Sequence, residues 1–212
     1  MTSDAVHVVD HPVVEHRLAA LRDEATEPAV FRLLVRELST FIAYEALRDL
    51  ETAPVHVRTP VAPDAPSRRV IETVLIVPIL RAGLGMVSAV QELAPYSEVA
   101  YVGLCRDETT LRPEVYLDRI PRDLRGHRVV ICDPMLATGG SLVEVCDLLA
   151  GRGAGRVQVL CLLASAPGIE RFHASHPDVT VTCAAVDPAL DERGFIVPGL
   201  GDAGDRLFGP PA

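Results

Sequence analysis

Lysine, asparagine and tryptophan are absent from this chain of 212 residues, so all 20 basic residues are arginine. Without lysine the protein can form no Schiff base, anchor no pyridoxal phosphate and build no phosphate loop of the GxxxxGKS/T type. Aromatic residues make up only 4% of the chain, and its net charge is −9. Both values argue against a nucleic-acid surface, which is normally basic and often offers aromatic rings for base stacking.

Long apolar runs are missing as well, since no stretch approaches the ~20 residues of a membrane-spanning helix. Residues 1–10 have neither a basic start nor a long apolar stretch, so we expect no signal peptide, no membrane contact and a cytoplasmic location. The five cysteines show no CxxC spacing, and Cys132, Cys161 and Cys183 fall in strand-like apolar runs. This pattern is typical of buried thiols in a reducing compartment rather than of zinc ligands or disulfides.

Apolar periodicity places helices near the start of the chain. Apolar residues recur at helical spacing in residues 26–50, and residues 11–22 favour a shorter helix. We therefore interpret residues 1–52 as an N-terminal helical segment of a single domain that covers residues 1–212. Residues 53–67 contain four prolines and are interpreted as a loop or an edge segment.

The middle of the chain alternates short apolar strands with helical stretches. Runs rich in Val, Ile and Leu predict strands at residues 74–80, 99–104, 129–132, 157–163 and 179–183. The stretches between them predict helices at residues 84–93, 141–150 and 169–175. Strands that are apolar throughout indicate a mostly parallel sheet buried on both faces, which is a doubly wound α/β fold. Ligands of such folds bind outside the carboxyl ends of the strands.

Two segments fall outside this alternation. Residues 105–121 are polar and contain Pro113 and Pro121, so we interpret them as a long loop or a mobile hairpin over the strand ends. Residues 187–212 are rich in glycine and proline, and we expect no helix there beyond a turn. An irregular segment of this length on a compact domain is either loose or part of a site.

The clearest candidate site is the junction at residues 128–141, where a predicted strand runs through a loop of small residues straight into a helix. Backbone N–H groups at such a helix start have no intrahelical partner and bind phosphate. Asp133 stands where the strand ends, in position to meet hydroxyl groups or a metal ion. A phosphate site beside one carboxylate indicates a phosphorylated sugar as the ligand.

Arg81 and Arg106 follow two other predicted strands, at the edge of the sheet where ligands bind. A single arginine at a strand end is commonly solvated, but two at one edge can bind a polyanion between them. Residues 199–204 match the pattern GxGxxG. That pattern is not expected to open a helix here and no βαβ unit follows it, so we reject a dinucleotide site.

Three segments, in this order, resemble the uracil phosphoribosyltransferase family: residues 78–86 (PILRAGLGM), 133–141 (DPMLATGGS) and 194–205 (GFIVPGLGDAGD). Weaker similarity extends the resemblance over essentially the whole chain, at residues 11–12, 44–45 and 108–111. The resemblance implies a type I phosphoribosyltransferase fold with an irregular C-terminal base-binding segment. It also implies transfer of phosphoribose from 5-phospho-α-D-ribose 1-diphosphate (PRPP) to N1 of uracil, which yields UMP and diphosphate.

The resemblance further implies which residues meet each substrate. PRPP is expected to contact Arg81, Arg106, Asp133, Pro134, Met135, Leu136, Ala137, Thr138, Gly139, Gly140, Ser141 and Asp202. Uracil is expected to contact Ile196, Gly201, Asp202 and Ala203, where backbone groups can match the acceptor–donor–acceptor edge of the base. Mg²⁺ is expected as the cofactor, held through the diphosphate and water without a direct protein ligand.

Two acids found at this loop in many phosphoribosyltransferases are replaced here by Pro134 and Ala137. This departure matches the uracil branch of the class and removes the usual base of a purine enzyme. Asp202 is a candidate for accepting the N1 proton, although a partly ionised uracil needs no base.

Other readings of the same fold stay open. An RNA-binding regulator of pyrimidine genes would need a basic face, which this acidic chain does not favour. An orotate enzyme would need an additional cation near the base, and only Arg193 and Arg206 flank the C-terminal motif. The family resemblance also implies activation by GTP and a dimer or tetramer. No residue indicates a GTP site, and the long N-terminal helix is a candidate interface.

Overall fold

The apolar runs in the middle of the chain form the strands of one central sheet in the computed structural model, which describes residues 5–106 and 113–210. The helices are α1 (Pro12–Arg22), α2 (Pro28–Ala46), α3 (Leu84–Leu93), α4 (Gly140–Ala150), α5 (Ala166–Ser175) and α6 (Ala203–Phe208). The strands are β1 (Val6–Val8), β2 (Thr52–Val57), β3 (Ala65–Val70), β4 (Thr73–Leu80), β5 (Glu98–Val99), β6 (Val102–Arg106), β7 (Pro113–Asp118), β8 (His127–Cys132), β9 (Met135–Leu136), β10 (Arg156–Ser165), β11 (Thr180–Asp187), β12 (Ala189–Leu190) and β13 (Ile196–Val197).

The strand order of the sheet is β1-β11-β10-β8-β4-β6-β7, with β5 paired to β4 and β9 paired to β10. All of these pairs are parallel except β6 with β7. The order reverses between β4 and β8, because the chain leaves β4 through α3 towards β6 and leaves β8 through α4 towards β10. The predicted doubly wound fold is confirmed, and a reversal of this kind opens the crevice in which such folds bind ligands.

Alternate residues of the central strands face opposite layers of helices. Val74 and Ile76 of β4 belong to an apolar cluster that includes residues of α1, α2, α3 and α6. Leu75 and Val77 belong to a second cluster, which includes residues of α4 and α5. Burial on both faces explains why these strands are apolar throughout instead of alternating with polar residues.

The predicted N-terminal helices are confirmed. Helix α1 begins at Pro12, and the side chain of His11 caps it by accepting a hydrogen bond from the N–H group of Val13 at 3.1 Å. Helix α2 ends at Ala46, four residues before the predicted limit at 50. Strand β1 is not part of the prediction, because a strand of three residues is too short to show a periodicity.

Of the two expectations about irregular segments, one is confirmed in part and one is wrong. In residues 53–67, β2 and β3 pair antiparallel as the two edge strands of a separate sheet, and residues 58–64 form the loop between them. Prolines are tolerated in both strands because each strand of such a pair has one edge without ladder bonds. The C-terminal segment contains helix α6 and the small β12–β13 sheet, although no helix beyond a turn is expected there.

The remaining expectations concern the strand-end hairpin and the thiols. Strands β6 and β7 are antiparallel, which favours the hairpin interpretation of residues 105–121, while residues 107–112 lie outside the described part. Cys132, Cys161 and Cys183 are buried free thiols, as predicted. Over the described residues, no helix is both long and apolar enough to cross a membrane.

Candidate active site

The loops that follow β4 and β8 meet where the strand order reverses. A Cβ atom on Gly83, in the first loop, would lie 2.2 Å from the carbonyl oxygen of Cys132 at the end of β8. Only glycine permits so close an approach between the two backbones. The carboxyl ends of β4 and β8 therefore lie side by side, and the loops that follow them flank the crevice.

The loop after β8 enters helix α4 through Gly139, whose φ of 76° lies in the left-handed region. Among the described residues, no side chain caps the start of α4. The N–H groups of its first turn are thus without the usual capping partner, and the helix dipole adds partial positive charge there. Thr138 and Ser141 are half-buried beside this turn and add hydroxyl groups. Such an arrangement suits a phosphate group.

Helix α5 braces this loop from behind. The hydroxyl of Ser165 donates to the carbonyl oxygen of Ala137 at 2.6 Å and accepts from the N–H group of Gly168 at 2.9 Å. A Cβ atom on Gly139 would lie only 2.7 Å from the carbonyl oxygen of Gly168. The loop therefore has little room to move, and its shape is set by backbone contacts close to it in the fold.

Asp133 is the carboxylate at the end of β8. Its Oδ1 atom accepts a long hydrogen bond of 3.4 Å from the N–H group of Met135. Burial raises the pKa of the Asp133 carboxyl to about 7, and the bond from Met135 opposes this rise. A carboxyl group in this state loses its proton readily when a cation or hydroxyl donors approach it.

A cavity of about 330 Å³ lies between this loop and the C-terminal segment. Its lining comprises Ala82, Asp133, Met135, Ala137, Arg193, Gly194, Phe195, Ile196, Gly201, Asp202, Ala203 and Gly204. Larger cavities of about 530 and 560 Å³ adjoin Arg128 and Thr73, at the amino ends of β8 and β4. Of these three cavities, the smaller one lies at the carboxyl ends of the central strands β4 and β8, where a doubly wound sheet places its ligand.

Asp202 and Asp205 connect the cavity to Arg81. Asp202 caps helix α6, since its Oδ1 atom accepts a hydrogen bond of 2.9 Å from the N–H group of Asp205. The carboxylate of Asp205 accepts a bond of 3.0 Å from Nη2 of Arg81. This ion pair is partly exposed, so the Arg81 guanidinium can exchange Asp205 for an anionic ligand at the rim of the cavity.

The chain is similar to known proteins over nearly its whole length. A family model described as "Uracil phosphoribosyltransferase" matches residues 8–210. The uracil phosphoribosyltransferase of Kineococcus radiotolerans is 51% identical over 95% of this chain and 97% of its own length. That of Streptomyces avermitilis is also 51% identical, over 96% of this chain and 98% of its own length. The chain belongs to the uracil phosphoribosyltransferase family.

Solved structures show a similar fold. The structure of AQ2163 from Aquifex aeolicus is 34% identical, with a TM-score of 0.88 over 96% of this chain and 98% of that one. A hypoxanthine-guanine phosphoribosyltransferase from Bacillus anthracis is 14% identical, with a TM-score of 0.52 over 74% of this chain and 79% of that one. The second likeness concerns the fold alone. The chain thus has the α/β fold of type I phosphoribosyltransferases.

The crevice brings together most of the residues that the family resemblance implies. Those that line the cavity are Asp133, Met135, Ala137, Ile196, Gly201, Asp202 and Ala203. Gly139, Gly140 and Ser141 form the start of α4. Thr138 lies close to the C-terminal segment, because its Cγ2 atom would be 3.4 Å from a Cβ atom on Gly194.

Two implied residues, Leu136 and Pro134, do not line the cavity, and the described residues do not test a third, Arg106. Leu136 is 1% exposed and packs in the core, so it contributes its backbone alone to the loop. Pro134 is buried, and its carbonyl oxygen accepts hydrogen bonds from the N–H groups of Leu162 and Leu163. Arg106 ends strand β6, but its side chain lies outside the described part of the chain. The clamp of Arg81 with Arg106 therefore stays a prediction.

Arg193 and Phe195 line the cavity although the sequence does not single them out for it. The guanidinium carbon of Arg193 lies 5.1 Å from the centre of the Phe195 ring. Arg206, the other cation that flanks the motif, instead donates to the carbonyl oxygens of Leu21, Leu200 and Asp23. The two arginines look equivalent in the sequence, but only Arg193 is placed to meet a ligand.

The argument against a dinucleotide site also needs correction. The GxGxxG pattern at residues 199–204 does lead into a helix, since α6 begins at Ala203. The pattern nevertheless occurs outside a βαβ unit, because α6 is followed by no strand in the described residues. The missing βαβ unit, and not the missing helix, separates this motif from a dinucleotide fingerprint.

Proposed function

We propose that this protein transfers phosphoribose from PRPP to N1 of uracil and releases UMP and diphosphate. The observation that carries the proposal is the cavity in which the strand-end carboxylate Asp133 and the loop before α4 face the backbone of residues 194–204. Membership of the uracil phosphoribosyltransferase family supports the same reaction. No observation favours the RNA-binding alternative, which the charge of −9 argues against.

In this proposal the loop between β8 and α4 binds the sugar phosphate. The first-turn N–H groups of α4 and the hydroxyls of Thr138 and Ser141 donate to the 5-phosphate. Asp133 accepts hydrogen bonds from the ribose hydroxyls. Burial holds the pKa of Asp133 at about 7, and these donors would favour its ionised form. Arg81 and Arg106 contact the diphosphate and stabilise the negative charge that grows on it as the C1′–O bond breaks.

The C-terminal segment binds the base. Uracil offers acceptors at O4 and O2 on either side of the N3–H donor. The backbone of Ile196 and of residues 201–203 carries donors and acceptors that can match this edge. Cytosine replaces the O4 acceptor with a donor and would leave buried groups without partners. A mismatch of this kind can reject an analogue by about 10⁴-fold.

Mg²⁺ is part of the proposal, and the residues present fit it. Within the described residues no three His, Cys, Asp or Glu side chains come together as a metal cluster, which suits an ion that keeps its waters and is carried by the substrate's diphosphate. Asp133 and Asp202 line the cavity and would hold such an ion through its bound water. When bound, Mg²⁺ would supply charge neutralisation of the diphosphate.

The chemical step needs no protein nucleophile. The enzyme's share is to hold uracil N1 against C1′ of the sugar, which is catalysis by positioning and by electrostatic stabilisation. Asp202 is the candidate acceptor of the N1 proton. One of its carboxylate oxygens already accepts the N–H group of Asp205 at 2.9 Å, so the other oxygen would take the proton.

The test is direct. Purified protein with uracil, PRPP and Mg²⁺ should form UMP and diphosphate in equal amounts, measured by chromatography and by a coupled diphosphate assay. Removal of Mg²⁺ with a chelator should abolish turnover. Failure to form UMP under the complete conditions would overturn the proposed reaction.

The proposal extends to regulation, assembly and location. We propose a homodimer or homotetramer in the cytoplasm, activated by GTP. Support for an oligomer comes from the outer side of α2, where Val30, Leu33, Phe41 and Tyr44 are exposed apolar or aromatic side chains. Light scattering would give the mass, and assays with and without GTP would show whether turnover rises. A monomer, or turnover unaffected by GTP, would contradict these parts alone.

A further inference from the structure

The base-binding segment is tied to the N-terminal helices by an ion pair that none of the expected substrate contacts includes. Arg22 is the last residue of α1, and Asp187 is the last residue of β11. Nη1 and Nη2 of Arg22 donate to the two carboxylate oxygens of Asp187 at 2.8 and 2.6 Å. The Asp187 side chain is 6% exposed and that of Arg22 is 23% exposed. The pair is therefore a two-point contact shielded from water.

Both members of the pair also form hydrogen bonds with the backbone of Gly199. Its N–H group donates to Oδ2 of Asp187 at 3.0 Å. Its carbonyl oxygen accepts from Nη1 of Arg22 at 2.8 Å. The peptide groups on both sides of this one residue are thus fixed by the same ion pair. Gly199 itself has a φ of +60°, and a Cβ atom on it would lie 2.0 Å from the carbonyl oxygen of Ile196, so the turn has no spare room.

Gly199 stands in the middle of the backbone that meets the base. Ile196 on one side and Gly201 on the other both line the cavity. Recognition by backbone groups depends on the path of the chain, because no side-chain rotamer can compensate for a shifted peptide. A displacement of about 1 Å in a group that positions a substrate can cost about 10²-fold in rate.

We propose that Arg22 and Asp187 are positioning residues that set the affinity for the base. This inference rests on the proposed function, because it assumes that residues 196–203 bind uracil. Neither residue lines the cavity, so neither is expected to touch a substrate. The phosphate loop is braced separately by Ser165 and Gly168. Weakening the ion pair should therefore raise the KM for uracil and leave PRPP binding unchanged.

The experiment compares Arg22→Lys with the matched control Arg17→Lys. Both residues lie in α1, and Arg17 also forms an ion pair, with Glu37 of α2 at 2.7 Å. Lysine keeps the charge but cannot make the two-point contact and reach Gly199 as well. Steady-state kinetics should show a KM for uracil raised about 10-fold or more in Arg22→Lys, with the KM for PRPP within about 2-fold of wild type. The ratio of kcat/KM for uracil over cytosine should fall.

Asp187→Asn provides the second variant. It keeps the size of the side chain and one acceptor oxygen but removes the charge, so it should reproduce the rise in KM for uracil if Arg22→Lys does not fold. Thermal melting would verify folding of each variant. Equal changes in both KM values, no change in either for folded variants, or the same change in Arg17→Lys would overturn the positioning role. A wild-type protein that makes no UMP in this assay would refute the proposed function instead.

Discussion

The two halves of the crevice are built in different ways. The loop between β8 and α4 is contiguous in sequence, and Ser165 and Gly168 of the next strand-helix junction brace it. The C-terminal segment also has local contacts, such as the bond from Gly199 to Asp187, but it depends in addition on the start of the chain. Its backbone is held by Arg22 at Gly199 and by Arg206, which reaches Leu21 and Asp23, 185 and 183 residues away in the chain. The proposed phosphate site is thus supported by a neighbouring junction, whereas the proposed base site depends on the assembled domain.

The largest expected effect comes from a change to Asp133, in the half of the crevice formed by the loop after β8. Asp133→Asn removes the charge at the end of β8 without changing the size of the side chain. We expect turnover to fall by about 100-fold or more, because the ribose hydroxyls lose a charged acceptor at the reacting centre. Circular dichroism and thermal melting should show an intact fold. A folded variant with unchanged kcat and KM would remove Asp133 from the site.

Gly139 tests whether the phosphate loop owes its shape to the close approach of α5. Gly139→Ala would place a Cβ atom 2.7 Å from the carbonyl oxygen of Gly168 and force a left-handed φ of 76° on alanine. We expect the KM for PRPP to rise about 10-fold or more, while the KM for uracil changes little. Gly126→Ala is the control, since Gly126 has a similar φ of 82° but no atom within 4 Å of the added Cβ. Equal effects of both variants on the KM for PRPP would show that the contact with α5 is irrelevant.

A change to Arg206 tests whether contacts with the start of the chain support the C-terminal half of the crevice. Arg206→Met removes the guanidinium group, which lies over the Phe31 ring at 4.2 Å and donates to the carbonyl oxygens of Leu21, Leu200 and Asp23. We expect a loss of about 1–3 kcal/mol in the free energy of unfolding and a several-fold rise in the KM for uracil. Arg171→Met, at an exposed position on α5, should change neither quantity. A rise in the KM for PRPP alone would contradict the division between the two halves.

The last test concerns the pH dependence of stability and Asp133 alone. Burial raises the pKa of Asp133 to about 7 in the folded protein from 3.8. The folded state therefore holds this proton over a range in which the unfolded state has lost it. The contribution is fully present below pH ~4 and is lost as the pH rises through ~7. Denaturant titrations should show Asp133→Asn gaining stability relative to wild type over this range, and a constant difference would contradict the raised pKa.

The sequence predicts the local half of the site better than the long-range half. The β8 strand, the small-residue loop and α4 follow from apolar runs and glycines, and Asp133 stands at the expected strand end. The helix α6 is missed because its capping residue Asp202 lies in a glycine-rich motif that reads as irregular. The contacts of Arg22 with Asp187 and Gly199 could not be predicted, since no pattern along the chain relates residues that are 165 and 177 positions apart.

Arg193 shows the same limit at a single position. Together with Arg206 it flanks the motif as a cation of unknown orientation, and only the fold separates the two roles. Its presence at the cavity matters for specificity, because a cation near the base is what an orotate enzyme would use. The relative kcat/KM for uracil and orotate therefore tests the role of Arg193 at this cavity.

A nucleobase panel measures the choice of base most directly. Wild-type protein with PRPP and Mg²⁺ would be assayed with uracil, cytosine, orotate and hypoxanthine, and kcat/KM would be compared. We expect uracil to be preferred over cytosine by about 10³-fold or more, because cytosine carries a donor in place of the O4 acceptor. Orotate shares the hydrogen-bonding edge of uracil, so its rate tests whether its carboxylate is accepted beside Arg193, and we expect uracil to be preferred over it and over hypoxanthine as well. Comparable or better turnover of orotate or hypoxanthine would contradict the assignment of this cavity to uracil.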